Sequence, residues 1–399
     1  MDIKEFDIPF YTQIFDLIPI DKIEAIVNKH NGDRSAKGFD TVTHFFTMLL
    51  AHISGANSIR DVIGRVAGTP KSFHTTFFKR IPTKSTLSYN NIHRDWKIFS
   101  DAFYMISDVL EEKLCLNNGL YDFTESLYSL DSTTINICLS LYNWANFNKK
   151  KGALKIHTLF DDTNTSCLPV FINFSKSKRH DIETVRTLSL PKNSIVAIDW
   201  DYVDNFLLHR WKMEEIFFVT LLKDGINYQV TKNLKIFDPD GIPSKPGKDR
   251  KDGTQPNKFS KNAKKKSNTS HGLGEAEQTA LEKSSPKQYT VLKDQHIILT
   301  NKNAIKGSSI TLRLVTVRDE EKLCILQILT NILDLPVKII ADIYRERWDV
   351  ELFLKSIKEN LNIKSFLGVS ENAVRIQIYT AMIAILLIKY LQVKPFDVS

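Results

Sequence analysis

Cysteine is scarce in this 399-residue sequence, which contains only Cys115, Cys138, Cys167 and Cys324. The four are scattered and form no C-x-x-C pair, so we expect neither a zinc site nor a secreted disulfide framework. The start of the chain lacks a basic segment followed by an apolar run, which predicts no signal peptide. The longest apolar run, residues 381–388, is far shorter than the ~20 residues that span a membrane. These absences predict a protein of a reducing cytoplasm.

Excess charge of one sign is confined to one segment. The net charge is +8, from 54 basic and 46 acidic residues, and residues 245–266 contribute +7 of it through nine Lys or Arg and two Asp. The remaining chain is nearly neutral, so any nucleic-acid binding must use patterned patches and this segment rather than a diffuse positive field.

Apolar residues make up 42% of the chain and charged residues 25%. These ordinary globular values exclude wholesale disorder and allow a sizeable core.

Residues 8–115 have the apolar spacing of helices. Two such stretches, 41–53 and 59–66, are separated by a glycine-containing break at residues 55–57, and Ser58 stands in the position of a helix cap. A helix, a turn with glycine and a short helix form the outline of a DNA-binding helix-turn-helix. The same pattern is typical of an ordinary helical hairpin, which is the more common structure in all-α domains, so both interpretations remain open at this point.

Strand patterns replace helical ones near residue 120, after a longer helix predicted over residues 86–114 with Ser85 as its cap. Strands are predicted at 127–137, 154–160, 168–174, 195–199 and 216–222, and helices at 181–190 and 203–212. This order is typical of an α/β fold with a mixed central sheet. Beyond it come weaker strands at 228–237, 289–299 and 309–318, an insertion at 238–288 that we expect to be exposed and mostly disordered, and helices over 336–392.

Two aspartates follow apolar runs of predicted strands. Asp131 stands in the first strand after its apolar run, and Asp199 ends the fourth strand, whose other residues are all apolar. A strand that is apolar throughout is buried inside a sheet, so both carboxylates are expected to emerge at a sheet edge. In α/β proteins this is where ligands bind, which makes the two aspartates candidates for chemistry.

The helix predicted over residues 339–361 carries a mixture of side chains on one face. At about 100° per residue, four of them fall within one ~60° stripe: Tyr344, Arg347, Glu351 and Lys358. A carboxylate in such a stripe can bind a metal ion while basic and aromatic groups hold a nucleic-acid strand beside it. We expect Arg347 and Lys358 to neutralise phosphates and Tyr344 to stack on a base. The alternative is a solvated helix face with pairs such as Glu351–Lys355.

The spacing Tyr-x2-Arg-x3-Glu-x6-Lys resembles the Y-R-E-K signature of bacterial insertion-sequence transposases, and the sequence is identified as a member of the IS-four family of DDE transposases. Residues 130–135 (Leu-Asp-Ser-Thr-Thr-Ile) are similar to the family's first catalytic Asp motif, and residues 198–204 resemble the second. Blocks at 155–159, 179–181 and 329–381 also look like the family, as do the N-terminal helices. The resemblance therefore covers about four-fifths of the chain and leaves out the basic segment.

One departure from the family affects the second catalytic position. Where the family usually has Arg-Gly after the aspartate, this chain has Trp200-Asp201, so Asp201 and Asp204 compete with Asp199 for the catalytic role, and Asp201 is the stronger competitor. We favour Asp199 because it ends the apolar strand and has the Asp-x-x-Tyr spacing to Tyr202.

The resemblance implies an α/β fold in which an RNase H-like catalytic core is interrupted by a β-rich insertion and preceded by an all-α N-terminal domain. The implied helical DNA-binding domain covers residues 1–118 and is expected to recognise the terminal inverted repeats of an element. The core is then divided between residues 119–226 and the C-terminal helices at 335–399. Residues 227–334 form the insertion, with strands and the disordered basic loop at 238–288.

The resemblance also implies cut-and-paste DNA transposition, in which phosphodiesters at the element ends are hydrolysed and the freed ends are transferred to target DNA. Both steps are displacements at an anionic centre, which two Mg²⁺ or Mn²⁺ ions can stabilise. Hard cations prefer oxygen ligands, so three carboxylates suffice. We therefore assign catalysis and metal binding to Asp131, shared by both ions, and to Asp199 and Glu351, with one ion each. DNA contacts are assigned to Tyr344, Arg347, Lys355 and Lys358.

The implied partner is double-stranded DNA, both as terminal inverted repeats and as target, and the synapsis of two ends implies a homodimer. The implied location is the bacterial cytoplasm, in association with the nucleoid. Other classes stay open: a catalytically inactive DNA-binding protein derived from a transposase, and an RNase H-like DNA nuclease. A metal-dependent phosphatase for small molecules ranks behind them, because it does not explain the basic insertion. His157 and His180, near the expected site, are interpreted as hydrogen-bonding groups rather than metal ligands.

Deleting residues 245–266 tests whether this basic segment is a DNA clamp or a solvated loop. A clamp neutralises DNA phosphates and releases counterions, so its removal should flatten the dependence of log K on log salt for duplex binding. Fluorescence anisotropy of a labelled duplex over a series of NaCl concentrations measures this slope. An unchanged slope would leave only the loop interpretation.

Overall fold

The computed structural model describes residues 8–34, 36–114, 126–137, 144, 146–148, 151–162, 168–175, 180–235, 289–300, 310–321, 323–360 and 367–393. The basic segment 245–266 and the insertion expected at 238–288 lie outside the described residues. The chain divides into two compact units: the first contains residues 1–218 and 343–399, and the second contains residues 219–342.

The first unit begins with helices α1 (Ile8–Asp16), α2 (Ile20–Lys29), α3 (Thr41–Ile53), α4 (Ile59–Ala67), α5 (Lys71–Thr76), α6 (Lys84–His93) and α7 (Trp96–Leu114). Three of them start at a short polar side chain that accepts a hydrogen bond from a backbone N–H three residues further on: Asp40, Ser58 and Thr83. These bonds satisfy donors that a helix end leaves open. The cap at Ser58 is confirmed, whereas the cap of α6 is Thr83 and not the predicted Ser85.

Helix α3 is the centre of this helical part. Eleven of its thirteen residues are buried, and Phe46 packs against Phe15 of α1 with ring centroids 5.1 Å apart. Helix α4 exposes only Arg60, Gly64 and Ala67, which offer one basic group and no other polar side chain to a ligand. The ordinary helical hairpin therefore describes α3 and α4 better than the helix-turn-helix.

The single helix predicted over residues 86–114 is wrong, because the chain breaks between α6 and α7. Arg94 has an extended backbone (φ −75°, ψ 128°), and its buried guanidinium donates to the carbonyl oxygens of Phe39 at 2.9 Å and Asp40 at 3.2 Å. The side chain of Asp95 then accepts from a backbone N–H two residues on, at the start of α7. The partners of Arg94 lie more than 50 residues away in the sequence, so no local pattern indicates the break.

The remainder of the first unit contains a mixed sheet. Its elements are β1 (Leu127–Ile137), β2 (Asn146–Asn148), β3 (Lys151–Asp161), β4 (Leu168–Ser175), α8 (His180–Thr187), β5 (Ile195–Ile198), α9 (Asn205–Met213) and the start of β6 (Phe217–Leu221). Strand β1 pairs antiparallel with β3 and parallel with β5, and both β2 and β4 pair with the other edge of β3. Every residue of β5 is buried, which accounts for its apolar sequence. The predicted α/β class with a mixed sheet is confirmed.

The second unit is built from antiparallel strands. Their spatial order is β6, β10 (Cys324–Thr330), β9 (Thr311–Asp319), β8 (Tyr289–Leu299) and β7 (Tyr228–Asn233). Strand β10 was not predicted from the sequence, although its apolar run follows an acidic turn typical of a hairpin. Arg313 and Asp294 form a buried ion pair at 2.7 Å between β9 and β8, and Arg313 also donates to the carbonyl oxygens of Leu333 and Leu335. These bonds satisfy a guanidinium that would be costly to bury without partners.

Two long helices end the described chain: α10 (Val337–Asn360), which runs from the second unit into the first, and α11 (Glu371–Val393). Helix α11 is long and apolar enough to cross a membrane, but 78% of its apolar window is buried within the protein, as in a core helix. The side chain of Asn372 accepts from the N–H of Trp96 and donates to the carbonyl oxygens of Asn91 and Arg94. These bonds join α11 to the N-terminal helices.

Helix α3 contains a histidine that makes stability depend on pH. His44 is fully buried, and its Nε2 lies 2.8 Å from Oδ1 of Asn91. Burial is the main reason why the pKa of His44 falls to about 3, and the charge of Arg94 adds to the effect. The unfolded chain binds a proton at this residue near pH 6.5, whereas the folded chain does not until about pH 3. Unfolding therefore takes up a proton between these values, and stability falls as the pH falls.

Replacing His44→Gln should flatten this pH dependence, because glutamine keeps a donor for Asn91 and cannot titrate. The wild type should lose about 1.4 kcal/mol of unfolding free energy per pH unit more than the variant between about pH 6 and pH 4. Urea denaturation at several pH values in this window measures the difference. The matched control is His93→Gln, at an exposed ring of α6, which should keep the wild-type slope. Equal slopes for His44→Gln and the wild type would contradict this account.

Candidate active site

Strand register brings Asp131 and Asp199 together. In the parallel pair of β1 and β5, Leu130 is opposite Ile198, so the two aspartates are the next residues on adjacent strands. The backbone of Asp199 is still extended (φ −77°, ψ 148°), and neighbouring strands lie about 4.8 Å apart. Their side chains therefore leave the sheet on the same face. Asp199 is exposed, at the end of its strand, while Asp131 is half-buried within its longer strand.

Helix α10 is held by apolar residues next to this sheet. Val350, Phe353 and Leu354 belong to the core, and the ring of Phe353 meets that of Phe160 on β3 edge to face, with centroids 4.9 Å apart. Arg347 stands in the same buried stripe of the helix, at a position where an apolar side chain is typical. A buried guanidinium needs an anionic partner, because leaving it unpaired would be costly.

Arg347 finds this partner in Asp131. Its Nη1 lies 3.4 Å from Oδ2 of Asp131, and the two side chains are 10% and 15% exposed. Its Nη2 donates to the hydroxyl of Tyr344 at 3.3 Å, and Oδ1 of Asp131 accepts from the N–H of Ser132 at 2.7 Å. The Nε of Arg347 is buried and has no hydrogen-bond partner in the described part of the chain. The burial of this N–H is therefore not compensated by a hydrogen bond among the described residues.

The pKa of Asp131 reflects an excess of carboxylates. Burial raises this pKa, and the negative charges of Glu351 and Asp199 raise it further, while Arg347 and a backbone N–H oppose them without cancelling the rise. The pKa of Arg347 is also raised: burial lowers it, but Tyr344 and the two aspartates outweigh burial. Asp131 therefore interacts with two other carboxylates and one guanidinium, which leaves an excess of negative charge that favours the binding of cations.

Buried hydroxyls line the face of the sheet that Asp131 occupies. Ser129 and Thr133 lie two residues to either side of it on β1, and Thr158 is its partner on β3, so all three side chains share its face. Their hydroxyl oxygens are buried and have no hydrogen-bond partner among the described residues. Such groups are costly to leave unsatisfied and typically bind water or a ligand. Hydroxyl groups beside carboxylate oxygens are the type of donor that fits a hard divalent cation that keeps bound water.

The three carboxylates are not gathered around one point among the described residues. Among the described residues, no three Asp, Glu, His or Cys side chains lie close enough together to hold one metal ion. Asp131 and Asp199 form a pair, whereas Glu351, one turn after Arg347 on α10, is exposed. The type of donor fits a divalent cation, and a shared site requires the side chain of Glu351 to approach.

A buried hydrogen-bond chain holds the turn that follows Asp199. Residues 200–202 form a 3-10 turn, in which the N–H of Tyr202 donates to the carbonyl oxygen of Asp199 at 3.1 Å. The buried hydroxyl of Tyr202 lies 3.0 Å from Nδ1 of His157, and Nε2 of His157 lies 2.7 Å from Oγ of Ser175. The carboxylate of Asp199 does not cap the turn, so Tyr202 and His157 position Asp199 through its backbone.

The other residues singled out in the sequence lie in different environments. Tyr344 is buried, so its ring packs inward, and stacking on a base stays a prediction. Lys355 is exposed, and the side chain of Lys358 lies outside the described residues. Asp201 is exposed in the 3-10 turn. It lies two residues beyond Asp199, which is the residue level with Asp131 on the adjacent strand, and this favours Asp199 as the second carboxylate.

Sequence reasoning anticipated one supporting residue and missed others. His157 makes hydrogen bonds, as expected, while the side chain of His180 lies outside the described residues. The hydroxyls of Ser129 and Thr133 were missed, although their alternation with Asp131 along a predicted strand places all three on one face. The contact of Tyr202 with His157 had no local signal, because it joins residues on separate elements.

Replacing Tyr202→Phe removes only the hydroxyl that His157 holds. We expect Mn²⁺ affinity to fall about tenfold, because the turn that positions Asp199 loses an outer support. Electron paramagnetic resonance of a Mn²⁺ titration measures this affinity. The matched control is Tyr104→Phe, which removes a hydroxyl that accepts the N–H of Ile172 at 3.0 Å, away from the two aspartates. Each variant should lose about 1 kcal/mol of stability. The same Mn²⁺ affinity in all three proteins would refute the positioning role.

Comparison with known proteins identifies two matching family models. A transposase DDE domain matches residues 122–387, and a domain of unknown function (DUF4372) matches residues 7–72. A relative from Sinorhizobium fredii, named as a transposase, is 25% identical over 308 residues, which are 77% of this chain and 71% of that protein.

Two further relatives carry the names of insertion-sequence transposases. The transposase named for element IS5377 of Geobacillus stearothermophilus is 23% identical over 269 residues, 67% of this chain and 57% of that protein. A protein of Synechocystis named for element IS4SA is 46% identical over 52 residues, 13% of this chain and 15% of that protein.

The DDE domain match spans 266 of the 399 residues and contains the two aspartates on β1 and β5 together with the mixed face of α10. The chain therefore belongs to the DDE transposase family and is a DNA-cleaving enzyme.

Proposed function

We propose that this transposase moves an insertion sequence by cut-and-paste transposition, cleaving phosphodiesters at the element ends and joining the freed 3′ ends to target DNA. The names of its relatives support an insertion sequence as the element. The Y-R-E-K spacing on α10 supports membership of the IS-four family. The observation that carries the proposal is the parallel register of Asp131 and Asp199 beside the face of α10 that bears Arg347 and Glu351.

The strand order of the first unit supports an RNase H-like core. Strands β1, β3 and β4 are consecutive antiparallel neighbours, and β5 returns parallel to β1 on the other side. The two aspartates then come from adjacent parallel strands, and the glutamate comes from a helix that packs near them. Strands β7 to β10 stand in the sequence between this core and α10, which makes them the β-rich insertion of the proposed fold.

A DDE domain uses divalent metal ions, and we propose two Mg²⁺ or Mn²⁺ ions held by Asp131, Asp199 and Glu351. Bound there, such ions activate the attacking oxygen and stabilise the leaving oxygen of an in-line displacement at phosphorus. Asp131, fixed within β1 and bonded to a backbone N–H, would be the carboxylate shared by both ions. Glu351, exposed on α10, is the carboxylate that moves into the site.

Arg347 is suited to release the carboxylate of Asp131 and bind a DNA phosphate instead. In this structure it compensates the charge of Asp131, and its buried Nε has no partner among the described residues. Once cations compensate the carboxylates, its guanidinium can bind a DNA phosphate in a charge-assisted hydrogen bond. Tyr344 then supports Arg347 through its hydroxyl, and Lys355 and Lys358 contact the DNA strand further along α10.

We also propose the partners that transposition requires. The N-terminal helices bind the terminal inverted repeats, and two chains form a homodimer when two element ends are brought together. The protein then acts in the bacterial cytoplasm, at the nucleoid. The match of residues 7–72 to a separate family model supports a distinct N-terminal module.

Replacing Glu351→Gln tests the proposed reaction most cleanly, because Glu351 is exposed and its loss should not unfold the protein. We expect the single-turnover cleavage of an element-end duplex with Mg²⁺ to fall about a thousandfold, which corresponds to about 4 kcal/mol of transition-state stabilisation. The control Asp201→Asn should cleave at nearly the wild-type rate. Full activity of Glu351→Gln would exclude this residue from the site. DNA binding by the wild type without metal-dependent cleavage would instead indicate an inactive DNA-binding protein.

A further inference from the structure

The N-terminal helices carry a basic surface, although the chain outside residues 245–266 is nearly neutral as a whole. Residues 62–94 contain six Lys or Arg and no Asp or Glu. Four of these basic residues are exposed, on α5, on the following loop and at the start of α6: Lys71, Lys79, Arg80 and Lys84. Lys79 contacts Asp40 at 3.2 Å, while the other three make no ion pair in the described part of the chain. This surface complements a polyanion.

Helix α6 presents exposed aromatic and apolar side chains next to this charge. Tyr89 is 62% exposed and Ile92 is 45% exposed, and the ring of His93 lies against that of Tyr89 with centroids 4.2 Å apart. With Ser85 these side chains fall on one ~100° face of the helix. Leu87, on the opposite face, is fully buried and anchors α6 in the helical core. The exposed face combines hydroxyl, imidazole and apolar groups with flanking cations.

We propose that α6 is the helix that enters the major groove of double-stranded DNA and reads the element ends. The proposal rests on the proposed function, which supplies DNA ends as the ligand. A helix of ten residues is about 15 Å long, and the major groove, about 12 Å wide, admits an α-helix. Hydroxyl and imidazole groups can hydrogen-bond base edges, and Ile92 and Tyr89 can contact thymine methyl groups. Arg80, in the loop before α6, and Lys84, at the start of α6, then bind phosphates.

Helix α4, the second helix of the pattern that suggested a helix-turn-helix, is poorly suited to this task. Its exposed residues are Arg60, Gly64 and Ala67. Its other arginine, Arg65, is held by Asp61 at 2.9 Å and by a backbone carbonyl. The side chains that can read bases are therefore on α6.

The test measures binding of the full-length protein, in EDTA to prevent cleavage, to two duplexes of about 40 base pairs. One is taken from the DNA that borders the reading frame and contains the candidate inverted repeat, and the other is its scrambled sequence. Tyr89→Ala and Ile92→Ala should each weaken binding to the end duplex about tenfold and leave binding to the scrambled duplex unchanged. Lys84→Gln should weaken binding to both and reduce the salt slope by about one. Arg60→Gln, on the exposed face of α4, is the matched control and should preserve end recognition.

Three results would overturn the proposal. If the wild type discriminates the end duplex and the α6 variants bind it unchanged, the recognition surface lies elsewhere, while the proposed transposase function stands. An equal loss on both duplexes in Tyr89→Ala would show a non-specific contact instead of base reading. If the wild type does not distinguish the two duplexes, both the α6 proposal and the proposed recognition of inverted repeats fail. The control is the melting temperature of each variant, which should equal that of the wild type if these surface substitutions leave the fold intact.

Discussion

The active site of this transposase depends on the parallel pairing of β1 with β5. Because Leu130 is opposite Ile198, an aspartate follows on each strand at the same level and on the same face. A slip of one residue would turn one carboxylate to the opposite face of the sheet. Hydrogen bonds of Tyr202, just after β5, support this register. Its N–H donates to the carbonyl oxygen of Asp199, and its hydroxyl bonds to His157 on β3. The bond between Tyr202 and His157 thus ties the end of β5 to a strand on the far side of β1.

Charge compensation is the second constraint. A buried arginine in an apolar helix stripe would destabilise the protein on its own, and a buried carboxylate with two others nearby would do the same. The pair of Arg347 and Asp131 reduces both costs, yet the raised pKa of Asp131 shows that the compensation is incomplete. Unsatisfied hydroxyls on the same face add a further cost. Local features that oppose stability and cluster at one place are typical of a functional site.

Much of the fold could be predicted because its signals are local. The cap at Ser58 and the apolar run of β5 are periodicity or composition features that a short window contains. The break at Arg94 could not be predicted, since the guanidinium satisfies carbonyls contributed by a distant segment. Helical spacing placed Tyr344 and Arg347 on one face. It could not tell that these two side chains are buried and that Arg347 pairs with Asp131, because that depends on how α10 packs.

The most direct measurement is the anomalous scattering of manganese in crystals of the protein bound to an element-end duplex. We expect manganese peaks beside Asp131, with the carboxylates of Asp199 and Glu351 as further ligands, and with Arg347 moved from Asp131 to a DNA phosphate. Manganese bound by Asp201, with no peak beside Asp131, would show that Asp131 and Asp199 do not form the metal site.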